Sequence, residues 1–299
     1  MDEAIKQVKD KLSDDNVVHI KDATKRNGEY TEPYPIGFEI FDKAMMGGVR
    51  AGDFVVVTGI KKHGKTSVCQ DFSVNLSKDG NSCLWFSYEV IIDNFYAKFK
   101  EMDCDCDNLN IYSPKQMTSG NLEWIQEKIE EGVKKFNARF IFIDHLGFIT
   151  PKKMKNSDQK RMVIEQIVTE LKTLAVKLEI TIFLIAHVKK VQGRSIESQD
   201  ISESITVSQT ADFVFGIQRS VFYDQVGGKR TEHYGEISTI RLMDNRLTGD
   251  CPMLDVLFIN NRIHPVGNGP IDIGENKNEI EVVSDDEENN KQKYFWQKN

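Results

Sequence analysis

A glycine-rich spacing behind an apolar run constrains this chain more than any other feature. The run 54–58, which is mostly β-branched, ends at Thr58. Gly59 follows it, and Gly64, Lys65 and Thr66 come after four further residues. Glycines at this spacing let the backbone N–H groups of a loop point inward, and the helix that follows offers its amino end to phosphate groups. The spacing therefore predicts a phosphate-binding P-loop between a strand and a helix. The alternative interpretation is a glycine turn that binds nothing.

We predict nucleotide contacts in and beside this loop, with Lys65 reaching the β- and γ-phosphates. The predicted nucleotide-binding residues are Gly59, Lys62, His63, Gly64, Lys65, Thr66, Ser67 and, from a later strand, Arg219. The Thr66 hydroxyl and the Asp144 carboxylate are the predicted Mg²⁺ ligands. Asp144 is assigned this role because four apolar residues, 140–143, lead into it as in a Walker B strand. The alternative is an aspartate that caps the next turn.

Two further apolar runs are followed by a polar side chain. Run 83–88 is followed by Glu89, and run 181–186 by His187. The carboxyl ends of parallel strands meet at one edge of an α/β sheet, where such folds place their ligands. We therefore expect both side chains near the P-loop. From position alone, Glu89 is equally compatible with a solvated carboxylate at a helix amino end, and His187 with a hydrogen-bonded histidine at the start of a loop.

These apolar runs alternate with segments whose apolar residues recur at helical spacing, notably 121–136 and 161–178. The alternation predicts an α/β fold with a doubly wound, mostly parallel sheet and helices on both faces. We divide the chain into an N-terminal helix and linker (1–33), a core (34–266) and an acidic tail (267–299).

The composition excludes some functions and leaves others open. The 299 residues carry a net charge of −7 and five cysteines without a paired CxxC pattern. A net negative charge does not favour broad nucleic-acid binding, although it leaves room for a local basic channel. The cysteines indicate reduced thiols rather than a disulfide framework or a metal site. With no apolar stretch of membrane-spanning length and no targeting signal, we expect a cytoplasmic protein of a bacterium or a virus-infected host cell, without a membrane partner.

Several segments resemble the ATPase core of DnaB-like hexameric replicative helicases, which is a RecA-like P-loop fold. The segment IGFEIFDKAMMGGVRAGDFVVVTG, which begins at Ile36, resembles the entry to the core of RecA-type ATPases, DnaB-like helicases and KaiC-like proteins. The segments FSYEV and IAHVKK are also similar to helicase segments, and IAHVKK is closest to the phage primase–helicase and mitochondrial helicase branch. The resemblance covers residues 34–265. It implies a RecA-like fold, ATP and Mg²⁺ as ligands, and ATP hydrolysis.

The resemblance also implies roles for individual residues. Glu89 would activate the attacking water, His187 would sense the γ-phosphate, and Lys65 would complete the catalytic set in this subunit. The segment from Asp244 resembles a Lys-x-Arg-x-x-Gly pattern of ring helicases, with aspartate in place of the lysine. Its arginine, Arg246, would reach the γ-phosphate bound by a neighbouring subunit. The alternative for Arg246 is a surface salt bridge.

Two basic segments follow the strands that lead to Asp144 and His187. The predicted DNA-binding residues are Lys152, Lys153, Lys155, Lys189, Lys190 and Arg194. In the helicases that this chain resembles, the equivalent loops contact single-stranded DNA, and phosphate contact needs only such cations on a loop. The stretch 200–212, DISESITVSQTAD, resembles a second DNA-contacting stretch but departs from it at the arginine and glycines. A solvated charge run is the alternative.

The resemblance thus implies an ATP-dependent DNA helicase or translocase that acts on single-stranded DNA in replication. It implies a homo-oligomer, a hexameric ring, because Arg246 would act on a neighbouring subunit. A primase or another replication protein is a candidate partner of the acidic, aromatic-ended tail, for which a solubilising role is the alternative. Two other functions stay open: a RecA-like recombinase that forms filaments on DNA, and a KaiC-like regulatory ATPase that does not bind DNA.

Overall fold

The computed structural model describes residues 32–78, 80–88, 90–104, 106–113, 122–150, 156–189, 195–201, 205–226 and 229–266, without the side chains of residues 157, 205 and 221–232. From Pro33 onward these residues belong to one compact unit. The predicted linker and tail lie almost wholly outside the described residues, so the division into three regions stays a prediction. Among the helices of the described part, none has the length and apolar character that a membrane crossing requires.

The helices divide between the two faces of a central sheet. They are α1 (Glu39–Ala44), α2 (Lys65–Ser77), α3 (Ile92–Glu101), α4 (Leu122–Phe136), α5 (Leu146–Ile149), α6 (Ser157–Leu178) and α7 (Ile205–Thr210), with a 3₁₀ turn at Ser198–Asp200. Apolar residues of α1, α2 and α3 share one core cluster, and those of α4, α6 and α7 share the other. Helices therefore cover both faces, as the alternating pattern predicts.

The sheet has nine strands within the described residues. They are β1 (Phe54–Gly59), β2 (Ser82–Ser87), β3 (Leu109–Tyr112), β4 (Ala138–Asp144), β5 (Thr181–His187), β6 (Phe213–Val226), β7 (Lys229–Asn245), β8 (Met253–Ile259) and β9 (Arg262–Pro265). Their order is β3-β2-β4-β5-β1-β6-β7-β8-β9. Pairing is parallel from β3 to β6 and antiparallel from β6 to β9. The prediction of a mostly parallel α/β sheet is confirmed.

Alternate residues of the central strands fill two separate cores. Val55 and Val57 face the cluster of α1, α2 and α3, whereas Val56 faces the cluster of α4, α6 and α7. Both sets are fully buried, which explains why these strands are unbroken apolar runs in the sequence instead of alternating ones. On the α2 face the Phe142 ring stacks between Trp85 and Phe183, with ring centroids 4.6 and 4.5 Å apart.

Helix α6 begins earlier than the sequence pattern predicts. The pattern predicts a helix over 161–178, preceded by a basic loop, whereas the helix begins at Ser157. The Asn156 side chain accepts a hydrogen bond from the Gln159 backbone N–H, and Asp158 lies in the first turn, where its charge is stabilised by the positive end of the helix. The end of the basic segment, including Arg161, is therefore helical.

The β6–β7 hairpin extends beyond the parallel part of the sheet. Residues 213–217 of β6 pair with β1 on one side and β7 on the other. Among the described strands, the rest of β6 pairs with β7 alone. At the base of this extension the Ser220 hydroxyl donates to the Ile237 carbonyl at 2.9 Å. The sequence pattern predicts the two strands only up to Arg219 and from Ile237.

Candidate active site

The strands that lead to the predicted site residues end level with one another. Gly59 of β1 lies opposite His187 of β5, and Ser87 of β2 lies opposite Asp144 of β4. Because these strands are parallel, all their carboxyl ends meet at one edge of the sheet. This carboxyl edge is where Gly59 of the predicted P-loop, Asp144 and His187 come together.

The two loop glycines are required by the backbone geometry of the P-loop. At Gly59 a Cβ atom would lie 2.5 Å from the Ile217 carbonyl oxygen of β6, which leaves no room for a side chain. Gly64 has φ +95° and forms the cap of α2, so the chain turns directly from the loop into the helix. The first helical residue, Lys65, is 6% exposed, and its ammonium donates to the Gly59 and Ile60 carbonyls at 2.9 and 3.0 Å.

Thr66 and Asp144 form an oxygen pair that suits a hard cation. The Thr66 hydroxyl donates to the Asp144 carboxylate at 2.7 Å, and Asp144 is 2% exposed. Mg²⁺ prefers oxygen ligands and usually keeps waters and phosphate oxygens beside one or two carboxylates. No cluster of three or more His, Cys, Asp or Glu suited to a metal occurs in the described part of the chain. The residues present therefore fit a Mg²⁺ ion shared with a nucleotide rather than a metal held by protein alone.

His187 lies beside a second histidine, His145, which the sequence analysis did not select. The two imidazole centroids are 4.4 Å apart, and the His145 ring also meets Phe148 at 4.7 Å in an edge-to-face contact. Burial, together with the charges of Lys65 and Lys61, lowers the pKa of His145 to about 4. The ring is therefore neutral at pH 7. Its position directly after Asp144 in the sequence was the one signal that could have identified it.

His63 and Arg219, two of the predicted nucleotide contacts, are joined by a hydrogen bond between the Arg219 backbone and the His63 side chain. His63 is 2% exposed, and its Nδ1 accepts the backbone N–H of Arg219 at 3.0 Å. The Arg219 guanidinium lies over the Tyr234 ring and donates to the Gly235 carbonyl at 2.9 Å. These contacts tie the P-loop to the β6–β7 hairpin, while Lys62 on the same loop is exposed.

Several predicted site residues lie outside the described residues. They are Glu89, Lys152, Lys153, Lys155, Lys190 and Arg194. Lys189 is described: it is exposed, and its backbone N–H donates to the Asp200 carbonyl at 2.8 Å. Tyr88, which precedes Glu89 in the sequence, donates its backbone N–H to the Asp144 carbonyl at 3.2 Å. The roles of Glu89 and of the basic residues stay predictions.

Arg246 lies at the opposite edge of the sheet from the P-loop. Its backbone N–H donates to the Asp212 carbonyl at 2.9 Å, and the Asp212 backbone N–H donates to the Phe54 carbonyl at 2.8 Å. Phe54 is the first residue of β1, and Gly59 is the last. Five residue steps of about 3.3 Å put roughly 17 Å between these ends. Arg246 is therefore out of reach of the P-loop in its own chain.

The Arg246 side chain makes two contacts at this amino edge. Its Nη1 is 3.5 Å from Asp212 Oδ1, and its Nη2 donates to the Gln209 carbonyl. The side chain is nevertheless 54% exposed, whereas that of Asp212 is 15% exposed. The surface salt bridge considered as the alternative is present, and the guanidinium is still accessible from outside the subunit.

The comparisons with known proteins agree with this geometry. A family model described as ATPase: KaiC matches residues 34–209. The DNA repair protein RadA of Bacillus subtilis (strain 168) is 25% identical over 152 residues, which are 50% of this chain and 31% of the relative. Replicative DNA helicase DnaC of the same strain is 24% identical over 257 residues, which are 74% of this chain and 54% of the relative. The chain thus spans only part of these relatives, 31% and 54% of their length.

Two solved structures share the fold. One, described as an ATPase domain, superposes with a TM-score of 0.65 at 18% identity, covering 89% of this chain and 98% of that domain. A DnaB-like replicative helicase, described with its primase interactions, gives a TM-score of 0.64 at 19% identity, covering 88% of this chain and 66% of the helicase chain. The predicted RecA-like ATPase fold, and its likeness to DnaB-like ATPase domains, are confirmed.

Proposed function

Because the chain belongs to the KaiC family of ATPases, we propose that it hydrolyses ATP, at interfaces between copies of itself. We further propose that it uses the hydrolysis to move along single-stranded DNA, as the motor core of a replicative helicase. The names of RadA, DnaC and the DnaB-like helicase structure support a role in DNA metabolism. The positions of Lys65 and Arg246 at opposite edges of the sheet support a site that two subunits share.

At the carboxyl edge, this chain would bind and orient the nucleotide. The Lys65 ammonium would exchange its loop carbonyls for β- and γ-phosphate oxygens, and the loop N–H groups would surround the phosphates. Thr66 and Asp144 would hold Mg²⁺, which when bound supplies charge neutralisation between the phosphates. Glu89 would orient and polarise the attacking water. His187 would donate a hydrogen bond to a γ-phosphate oxygen.

The single observation that carries the proposal is the position of Arg246. The side chain is half exposed, and the Arg246 backbone is hydrogen-bonded through Asp212 to the Phe54 end of β1. By the rise of an extended strand, that end is roughly 17 Å from the phosphate-binding end. A planar, permanently charged guanidinium is well suited to stabilise charge on a transferred phosphoryl group. We propose that it does so in the site of a neighbouring copy. A head-to-tail contact of this kind generates a ring if its rotation closes and a filament if it does not.

The ATPase rate with and without single-stranded DNA tests the proposal. We expect stimulation of the wild type by DNA, loss of activity in Arg246→Ala, and loss of activity in Lys65→Ala. In a random equal mixture of the two variants, roughly a quarter of head-to-tail interfaces would pair an intact P-loop with an intact arginine. The mixture should therefore regain activity that neither variant has alone.

The outcomes separate the proposed function from its alternatives. A rate that DNA does not change would favour a regulatory ATPase without DNA, which the KaiC family match also supports. Failure of the mixture to regain activity would reject the shared site. A DNA-stimulated protein that exchanges strands but does not unwind a forked duplex would favour a recombinase, in line with the RadA relative.

A further inference from the structure

We propose that helix α7 couples the DNA-contacting loops of a subunit to the arginine that the same subunit presents to its neighbour. Glu165, Thr206 and Asp212 would act as positioning residues in this coupling. The inference rests on the proposed function, because it requires both DNA contact by the loops and action of Arg246 on a neighbouring copy. It adds a route by which DNA binding in one subunit changes hydrolysis in the next.

The first step is a shared hydrogen-bond acceptor between two helices. The Thr206 hydroxyl near the start of α7 donates to Glu165 Oε1 on α6 at 2.8 Å, and Arg161 Nε of α6 contacts the same oxygen at 2.8 Å. Helix α6 begins at Ser157, two residues after Lys155, the last predicted DNA-binding residue of the first basic segment. Helix α7 begins at Ile205, eleven residues after Arg194, the last one of the second basic segment. One carboxylate oxygen therefore connects the helices that follow the two proposed DNA-contacting segments.

The second step is the contact between the end of α7 and the arginine. The carbonyl of Gln209, in the last turn of α7, accepts a hydrogen bond from Arg246 Nη2. Asp212, two residues after the helix ends, contacts Arg246 Nη1 at 3.5 Å and accepts its backbone N–H at 2.9 Å. The position of the guanidinium thus depends on both the helix and the residue that follows it.

The third step is that these two anchors differ in how firmly they are held. Asp212 Oδ2 accepts the Phe54 backbone N–H at 2.8 Å and the Lys172 ammonium at 2.6 Å, so its carboxylate is fixed to the sheet and to α6. The Gln209 carbonyl belongs to the six-residue helix α7, whose contacts to α6 include the Thr206–Glu165 hydrogen bond. A shift of α7 would therefore move the Gln209 carbonyl relative to a fixed Asp212, and so redirect the guanidinium.

The test removes the Thr206–Glu165 contact and measures DNA stimulation. In Thr206→Val we expect an unchanged ATPase rate without DNA, an unchanged KM for ATP and an unchanged affinity for single-stranded DNA. The DNA-stimulated kcat should fall roughly 3- to 10-fold, the size of effect expected for a residue that carries coupling. Thr206→Ser keeps the hydroxyl and should restore the stimulation.

Two further variants show whether the contact itself is responsible. Glu165→Leu, which removes the acceptor, should lower the stimulation as Thr206→Val does. The double variant should be no worse than Glu165→Leu alone, because both substitutions remove the same contact. Thr173→Val is the matched control. Thr173 lies on α6, as Glu165 does, and its hydroxyl donates within that helix to the Thr169 carbonyl at 2.8 Å. This variant should keep full stimulation.

Three outcomes would overturn the inference, and they are distinguishable. If the wild type is stimulated by DNA and both Thr206→Val and Glu165→Leu keep that stimulation, the coupling route is wrong and the proposed function stands. If the variants lose stimulation together with DNA affinity, the residues shape the loops instead of coupling them. If DNA does not stimulate the wild type, the proposed function and this inference fail together. If Thr206→Val lowers the unfolding temperature, Glu165→Leu is used for the test instead.

Discussion

The charged side chains that we propose to act on ATP are held firmly at the carboxyl edge of the sheet and loosely at its amino edge. At the carboxyl edge Lys65 and Asp144 are 6% and 2% exposed, and their contacts are 2.7 to 3.0 Å long. At the amino edge Arg246 is 54% exposed and its ion pair with Asp212 spans 3.5 Å. An exposed ion pair of this kind contributes about 0 to 1 kcal/mol to stability.

This difference indicates which half of the proposed site is built in advance. The buried contacts at the carboxyl edge fix the phosphate-binding half before any partner arrives, which lowers the entropy lost on binding. The weak contact at the amino edge lets the arginine exchange Asp212 for a phosphate with little loss of stability. A subunit with one rigid edge and one adaptable edge is suited to a site that forms and breaks as neighbours move.

The largest expected effect comes from the rigid edge. Asp144→Asn should lower the rate of ATP hydrolysis about 10³-fold, because the carboxylate charge that would hold Mg²⁺ near the phosphates is removed. The asparagine can still accept the Thr66 hydrogen bond, so the unfolding temperature should stay near that of the wild type. Phosphate release at saturating Mg²⁺ measures the effect, with Asp158→Asn in the first turn of α6 as the control. A variant that keeps a tenth of the wild-type rate would exclude Asp144 as a metal ligand.

The next effect comes from the adaptable edge and tests geometry rather than charge. Arg246→Lys keeps the positive charge but loses the planar fork of donors, so we expect about a 10²-fold lower hydrolysis rate with nucleotide affinity preserved. Binding of a fluorescent ATP analogue and phosphate release, measured side by side, separate the two quantities. Equal losses in affinity and rate would mean that Arg246 acts through the assembly of the interface.

A smaller effect compares a P-loop glycine with a glycine in an open turn. Gly59→Ala would place a Cβ atom 2.5 Å from the Ile217 carbonyl, so the P-loop must shift, and we expect a loss of about 1–3 kcal/mol in the free energy of unfolding. ATP affinity should fall with it. Gly80→Ala is the control, because Gly80 has φ +75° but no atom of the described residues lies within 4 Å of the added atom. It should lower stability through the backbone alone and leave ATP affinity unchanged; an equal loss of affinity would show that the P-loop is not specifically affected.

The smallest effect is a pH dependence at the amino edge. Burial raises the pKa of Asp53 to about 6, and the charge of Asp212 adds to the increase. The folded state then binds a proton that the unfolded chain releases near pH 4, so this group's contribution to stability falls as the pH rises from about 4 to about 6. Asp53→Asn should remove about 1–2 kcal/mol of that fall. The difference between wild-type and variant urea midpoints across pH 4–7 measures it, and a difference that does not change with pH would contradict it.

The carboxyl edge could be predicted from the sequence because its signals are local. Each buried strand is an unbroken apolar run, and each leads to a polar residue, so Asp144 and His187 had to lie near Gly59 once the strands were taken as parallel. The strands that were missed lack such a signal. Strand β3 has four half-buried residues, and β9 also has only four, with a proline at its end.

The contacts of the amino edge could not be predicted because they join distant parts of the chain. Arg246 meets Gln209 and Asp212 across more than thirty residues, and Thr206 meets Glu165 across 41. No periodicity or spacing relates such pairs; only the packing of α6 and α7 against the sheet brings them together. The resemblance to ring helicases identified Arg246 as a candidate but gave no information on what holds it.

The long β6–β7 hairpin should show a steep gradient of hydrogen exchange along a single strand. Residues 213–217 lie between β1 and β7, whereas residues 218–226 pair, among the described strands, with β7 alone. An isolated two-stranded ribbon is marginally stable in water, so its amides can open without unfolding the sheet. Amides before Arg219 should exchange only on global unfolding and those beyond Ser220 by local opening, with the His63 contact to the Arg219 N–H at the boundary. A ligand that orders the P-loop would shift that boundary outward along the ribbon.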